Sequence, residues 1–197
     1  MHVYFNKIFL VTVFFLSLMV IISCETTNNP SAPEGIAGKD GGGSLYKNPV
    51  IHRVSLGGAD ICEALGEPPG CDANFSLTAI EKLDGSVRGQ WQDTFVGGGE
   101  GIHVAIDCMN VNDNWAIVGG VITHGTLGGV DVSGLRAITA VVDNGTSAND
   151  PPDQMSFSFI GNQAVSLLGS DDCTELTLDD FTPQFLVNIT NGQVKVR

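Results

Sequence analysis

The sequence predicts an all-β fold of about nine to ten short antiparallel strands, arranged as a barrel-like closure or as a β-sandwich. Three observations support this prediction. Apolar residues alternate with polar ones in successive runs, which is the period of a half-buried strand. The runs are separated by short clusters of Gly, Asn and Asp, which form turns between antiparallel neighbours. No run after residue 48 shows the apolar period of an amphipathic helix.

The clearest pattern covers residues 75–123, which are predicted to form four consecutive strands. Asp84-Gly85 predicts a tight two-residue hairpin turn with positive φ between the first two strands. The clusters at 97–99 and 112–114 end the second and third strands. Gly119 and Gly120 fall inside the fourth strand, and mid-strand glycines predict a bulge or strong curvature, which favours barrel-like closure.

Further alternating runs predict strands before and after this region. They cover residues 50–56, 135–142, 155–159, 174–178 and 185–189. Asn191-Gly192 predicts a second hairpin turn, which leads into the last strand of the chain.

The first 23 residues are predicted to be a signal peptide. Lys7 precedes an apolar run over 8–22, which is too short to span a bilayer comfortably. The run ends in Ile-Ile-Ser-Cys and resembles a bacterial lipoprotein signal. That resemblance implies a mature N-terminus at a lipidated Cys24 and a domain anchored to the cell envelope, at the outer membrane or cell surface. An ordinary signal peptide and an uncleaved anchor are the alternatives.

Residues 24–48 are predicted to be a flexible tether. They are rich in Thr, Asn, Pro, Ser and Gly and contain few apolar residues, so they cannot bury enough surface to offset the entropy of ordering. A flexible segment of this length spans about 25–30 Å on average. The folded domain is therefore expected over 49–197.

The charge of the chain excludes some partners. The formal net charge is −13, and removal of Lys7 with the signal leaves 8 basic and 22 acidic residues, a net charge of −14. Such a chain is not expected to bind nucleic acid or an anionic lipid surface. The membrane is therefore expected as a partner only through the lipid anchor, and acidic side chains also offer ligands to hard cations.

Besides Cys24 the chain has four cysteines, at positions 62, 71, 108 and 173. An even number in an exported chain predicts disulfides. Three pairings are possible, and we favour Cys62–Cys71, which closes a short loop, together with Cys108–Cys173. A zinc site is disfavoured because the sequence has no C-x-x-C pair.

The loop 143–153 is the best candidate binding site. Its oxygen-bearing side chains are Asp143, Asn144, Asp150 and Asp153. Calcium takes six to eight hard oxygen ligands and tolerates loop geometry, although the spacing is not that of an EF-hand. The alternative is turn chemistry, because Asp-Asn-Gly forms turns and the prolines that follow stiffen the chain. No other cofactor is expected.

Several segments resemble an uncharacterised family of exported bacterial β-proteins. The shared features are the pattern V-x-D-N-G…P-P-D over 141–153, a cysteine strand at 106–108 and a Gly-Gly-Val-Ile-Thr strand at 119–123. The resemblance extends from about Phe75 to the C-terminus. It implies an exported all-β domain and does not imply an activity.

The sequence predicts a non-enzymatic cell-envelope protein that binds or displays something at the surface. A lipocalin-like carrier of a small apolar ligand is the main alternative, and it requires a cavity inside the sheet. An envelope hydrolase is less well supported, because no nucleophile motif accompanies His103 or His124. Nothing in the sequence singles out any two of Glu81, Asp93 and Asp107 as a pair of glycosidase carboxylates.

Overall fold

The structure is a computed structural model that describes residues 48–68, 71, 74–97, 99–147, 149–181 and 184–197. The predicted signal peptide, the lipidation site Cys24 and the tether as far as residue 47 lie outside the described residues. Within the described part of the chain, no helix is both long enough and apolar enough to cross a membrane.

The prediction of an all-β fold is confirmed, since 53% of the described residues lie in strands and 9% in helix. The described residues form β1 (Val50–Asp60), β2 (Asn74–Lys82), β3 (Val87–Thr94), β4 (Gly101–Asn112), β5 (Trp115–Leu127), β6 (Val130–Asp131), β7 (Arg136–Val142), β8 (Gln154–Ser156), β9 (Phe159–Ile160), α1 (Asn162–Leu168), β10 (Leu186–Asn188) and β11 (Asn191–Val196). Short 3₁₀ helices lie at Glu63–Leu65 and Leu178–Phe181.

The strands form one antiparallel sheet that curls into a half-barrel. Strands β1 to β5 lie side by side in chain order and pair antiparallel. The connections that follow β2, β3 and β4 are too short for a parallel crossover. On the β5 side the sheet continues through β7, β8 and β10, and on the β1 side it ends at β11. Strand β6 pairs with β5, and β9 pairs with β7.

Period-two alternation places the apolar residues of the strands inside the half-barrel. Along β2 the buried inward positions are Phe75, Leu77 and Ala79. The link from β2 to β3 is a three-residue loop, because the Lys82 N–H bonds the Ser86 carbonyl at 3.0 Å. Gly85 has a φ of 78°, whereas Asp84 has no positive φ. The predicted two-residue turn is therefore wrong in length, although its glycine lies at the left-handed position of the loop.

The pairing of β4 with β5 is irregular and close. Their register shifts twice, beside His103 and beside Ile106, and an extra residue in one strand of a pair increases its twist. A Cβ atom at Gly120 would overlap the carbonyl oxygen of Ala105 on the neighbouring strand. The predicted irregularity at the mid-strand glycines is therefore confirmed.

Two apolar clusters stabilise the sheet. The inner cluster fills the half-barrel, and its largest buried members are Phe75, Trp91, Ile102, Ile122 and Met155. The outer cluster covers the other face of β5 and β7 with residues from α1 and from the segment 173–181, and it includes Ile117, Ile138, Leu168, Leu176 and Phe181. Strand β7 is therefore buried on both faces.

Two disulfides join Cys62 to Cys71 and Cys108 to Cys173, as the sequence predicted. Their Cα atoms are 5.8 Å and 6.1 Å apart, within the usual range for a disulfide. The second bridge ties β4 to the segment that covers the outer cluster. Gly119 leaves room for it, because a Cβ atom there would press on the Cys108 sulfur.

The predicted strand from Met155 to Phe159 is interrupted by a bulge. Met155 pairs with Val141 and Phe159 with Ile138, so four residue steps on this strand match three on β7. The Ser156 hydroxyl takes part in the ladder, where it accepts a backbone N–H from β7 at 2.9 Å. An inserted residue of this kind re-aims the side chains around it.

Two predictions for the C-terminal part are wrong. Residues 174–178 form no strand; the chain there covers the outer cluster, and α1 precedes it. The hairpin at Asn191-Gly192 is also absent, because β10 pairs with β8 whereas β11 pairs with β1. The half-barrel brings the two ends of the sheet close enough for Ile189 and Thr190 to pass from one end to the other.

Candidate functional site

The loop 143–153, which holds the predicted calcium ligands, joins β7 to β8 and reaches the edge of β11. Asp153 is 9% exposed. Its Oδ1 accepts the N–H of Asn144 and its Oδ2 accepts the N–H of Val194, each at 2.8 Å. This carboxylate therefore joins its own loop to the strand at the far end of the sheet.

Asp143 makes the same kind of link. Its Oδ1 accepts the N–H of Gly145 and its Oδ2 accepts the N–H of Val196, each at 3.1 Å. Strand β11 donates these N–H groups from the edge that does not pair with β1. Asp143 and Asp153, together called the clasp, therefore close the half-barrel through side chains at an edge with which no described strand pairs.

The other two predicted calcium ligands hold the loop itself. Asp150 Oδ2 accepts the N–H of Ser147 at 2.7 Å, and the Asn144 amide donates to the Pro152 carbonyl at 2.7 Å. Among the residues that the structure describes, the carboxylates of Asp143, Asp150 and Asp153 do not gather within 4.8 Å of one another. The calcium site stays a prediction, which a calcium-dependent rise in melting temperature would support.

One end of the half-barrel opens into an apolar cavity of about 530 Å³, here called the mouth. The loop after β1, the β3–β4 turn, the β8–β9 bulge and α1 contribute to its wall. Its apolar lining includes Leu65, Phe95, Val96, Leu127, Phe157 and Leu167. Four of these side chains are between 38% and 54% exposed, so the mouth presents apolar surface to solvent.

Asp93 is the buried polar group of the mouth. It follows Trp91 in the inward series of β3, its register partners Phe75 and Ile102 are buried, and it is itself only 9% exposed. The Ser158 hydroxyl, on the β8–β9 bulge, donates to its Oδ2 at 2.6 Å. Burial raises the pKa of Asp93 to about 6, and the Ser158 hydrogen bond only partly opposes that rise. The mouth therefore contains a carboxyl group that changes charge near neutral pH.

Glu100 provides a second carboxylate at the mouth. It accepts hydrogen bonds from the backbone N–H groups of Gly128 and Gly129, whose φ values are 60° and 76°. Successive N–H groups in such a turn form a small anion-binding concavity. No Lys, Arg or His lines the mouth in the part of the chain that the structure describes, so its ionisable groups are both acidic.

The outer face of β2 to β5 carries a polar groove of about 510 Å³. His103 and His124 are register partners there, and their rings stack with centroids 4.0 Å apart. Partial burial, followed by the neighbouring His124, lowers the pKa of His103. Among the described residues, no carboxylate hydrogen-bonds to either ring, so the groove lacks a histidine base oriented by an acid.

The carboxylates considered for glycoside hydrolysis have separate surroundings. Asp107 forms a two-point ion pair with Arg136 at 2.9 Å and 3.0 Å. Glu81 contacts His52 at 2.8 Å, and Asp93 lies inside the mouth. A glycosidase requires two carboxylates in one cleft, and these three side chains do not share a cleft.

Sequence reasoning named Asp93 only as one of several acids and missed Ser158 and the apolar lining of the mouth. One signal was available, because Asp93 occupies the alternation phase of Val87, Gly89 and Trp91. A carboxylate at an inward position of a strand must be buried with a partner or serve a site. Nothing local indicated that Ser158 would lie across the half-barrel from it.

Comparison of the chain with protein-family models, with curated proteins and with solved structures found no match. The site is therefore defined by its own geometry, a half-barrel whose apolar mouth contains the buried carboxyl group of Asp93.

Proposed function

We propose that this protein is a non-enzymatic binding protein of the bacterial cell envelope, which takes up a small, mostly apolar ligand in the mouth. The observation that carries the proposal is the mouth itself, a cavity of about 530 Å³ lined mainly by apolar side chains, with Asp93 at a fixed position. Small-molecule sites are typically concave and apolar, with few polar groups that orient the ligand.

Exposure at the mouth supports ligand binding over a purely structural role. Val96 is 46% exposed and Leu167 is 54% exposed, and both line the cavity. Apolar side chains that are grouped and exposed around one end of the half-barrel are typical of an interaction site. The separate surroundings of Glu81, Asp93 and Asp107 give no support to a hydrolase.

The cellular location in this proposal is inferred from the sequence. A lipid anchor at Cys24 and the tether predicted over 24–48 would hold the domain clear of the headgroups. The two disulfides are consistent with an oxidising compartment outside the cytoplasm.

Binding of N-phenyl-1-naphthylamine, an apolar dye that fluoresces in dry sites, tests the proposal. The protein is the mature chain from residue 24 with Cys24→Ser, which prevents lipidation. Leu127→Asp places a charge in the mouth at a side chain that is 38% exposed, and we expect it to weaken dye binding about tenfold.

Leu83→Asp is the matched control, because Leu83 is 66% exposed on the β2–β3 loop and does not line the mouth. It should bind the dye as the parent does. Failure of the parent to bind dye, or equal losses in both variants, would contradict a binding site at the mouth.

A further inference from the structure

No positive side chain of the described residues pairs with Asp93. The Ser158 hydroxyl makes its one side-chain hydrogen bond among the described residues, and no cationic side chain lines the mouth there. Buried carboxylates in proteins are normally paired with a cation or with several donors. The position of Asp93 therefore leaves an unbalanced charge in an apolar cavity that is open to solvent.

The other groups of the mouth favour a positive ligand as well. Glu100 adds a second negative charge, and phenylalanine rings line the cavity, at Phe95, Phe157, Phe159 and Phe185. The faces of aromatic rings attract cations. A ligand with a carboxylate or phosphate group would meet two negative charges and no counter-charge. The net charge of −13 would also attract a cationic ligand to the protein from solution.

We infer that the mouth binds an organic cation with an apolar chain, a long-chain amine or quaternary ammonium compound, whose charged nitrogen pairs with Asp93 while the chain lies along the apolar wall. This inference rests on the proposed binding function and names the class of its ligand. A cationic ligand would supply a positive charge beside the Asp93 carboxylate. A neutral ligand would leave that carboxylate without a counter-charge.

Three ligands with the same ten-carbon chain test the inference: decylammonium, 1-decanol and decanoate. Each is titrated calorimetrically at pH 7.5, below its aggregation concentration, into the Cys24→Ser mature chain. We expect decylammonium to bind about tenfold more tightly than decanol, and decanoate to bind most weakly.

Asp93→Asn should remove the preference. The amide keeps the acceptor for Ser158, so decylammonium affinity should fall about tenfold, to near that of decanol, while decanol affinity stays constant. Asp113→Asn is the matched control, because it changes the net charge equally at an exposed position on the β4–β5 turn. It should leave all three affinities unchanged, and melting curves verify that both variants are folded.

A change of pH gives an independent readout. Decylammonium stays charged between pH 5 and 7.5, whereas Asp93, with a pKa of about 6, becomes mostly protonated at pH 5. Glu100 is the other ionisable group that lines the mouth among the described residues. Asp93 and Glu100 also line an adjoining pocket with His103, His124 and Asp131, and Asp93→Asn controls for all of these groups. Affinity for decylammonium should therefore fall about fivefold at pH 5 in the parent and much less in Asp93→Asn.

The outcomes separate the two proposals. If none of the three ligands binds, the mouth is not a binding site and the proposed function fails. If decanol binds as tightly as decylammonium, or if Asp93→Asn binds decylammonium as the parent does, the binding function stands and the cationic ligand is excluded.

Discussion

Asp93→Asn should make the ligand-free protein more stable at neutral pH. Burial raises the pKa of Asp93 from 3.8 to about 6. The folded state therefore holds this proton more tightly than the unfolded state. The resulting stability is fully present below pH 3.8 and is lost as pH rises through 6. One pKa unit corresponds to about 1.4 kcal/mol, so ionisation of Asp93 costs the folded state about 3 kcal/mol by pH 8.

Urea unfolding of the parent and of Asp93→Asn at several pH values measures this cost. The variant should be about 3 kcal/mol more stable than the parent at pH 8, about half of that at pH 5, and equal to it at pH 3. Using the difference between the two proteins cancels the titration of every other group. Asp113→Asn should show no such trend. A pH-independent difference, or a variant less stable than the parent at pH 8, would refute the assignment of Asp93 as an unpaired buried carboxyl.

Three further predictions concern the clasp, the disulfides and the anchor. Asp153→Ala removes both of its hydrogen bonds to buried or part-buried N–H groups and should lower the free energy of unfolding by about 3–5 kcal/mol. The exposed control Asp150→Ala should lose about 1 kcal/mol, and equal losses would exclude the clasp. Replacing Cys108 and Cys173 by Ser opens a 65-residue loop and should cost about 4 kcal/mol, against about 2.6 kcal/mol for the nine-residue loop of the other bridge; the reverse order in urea unfolding would contradict this ranking. Cys24→Ser should abolish incorporation of labelled palmitate in a bacterial host and release the protein from membranes, and continued labelling would exclude lipidation at that residue.

The parts of the fold that follow from local sequence were predicted well. The strands around Leu77, Trp91, Val104 and Val118 could be predicted because each pairs with its neighbour along the chain. In that case the alternation of apolar residues and the intervening turns are sufficient to define the hairpins. The bulge near Gly120 could also be predicted locally, because a glycine inside a strand often marks a bulge or a close backbone approach.

The wrong predictions concern segments that pair with a strand distant in sequence or that cover the outer cluster. Asn191-Gly192 has the composition of a hairpin, but β11 pairs with β1, at the other end of the chain. The bulge between Met155 and Phe159 is invisible to alternation, because both residues are apolar and only their partners on β7 reveal the extra residue. Helix α1 has seven residues, too few for its apolar period to be recognised.

The candidate site divides in the same way. Acidic side chains in the loop 143–153 were found from composition, but composition does not say whether a carboxylate binds a cation or a backbone N–H. The N–H groups of Val194 and Val196 come near that loop only when the half-barrel closes. Those contacts give Asp143 and Asp153 a structural use.

The sequence by itself determined an antiparallel all-β domain and its pattern of inward and outward residues, since both depend on neighbours in the chain. Only the tertiary structure decided where the sheet ends meet, which carboxylates close it, and that Asp93 lies beneath an apolar mouth opposite Ser158. The physical reason is that burial and charge pairing depend on groups that the fold brings together across the half-barrel. A local sequence pattern does not specify which distant groups become neighbours.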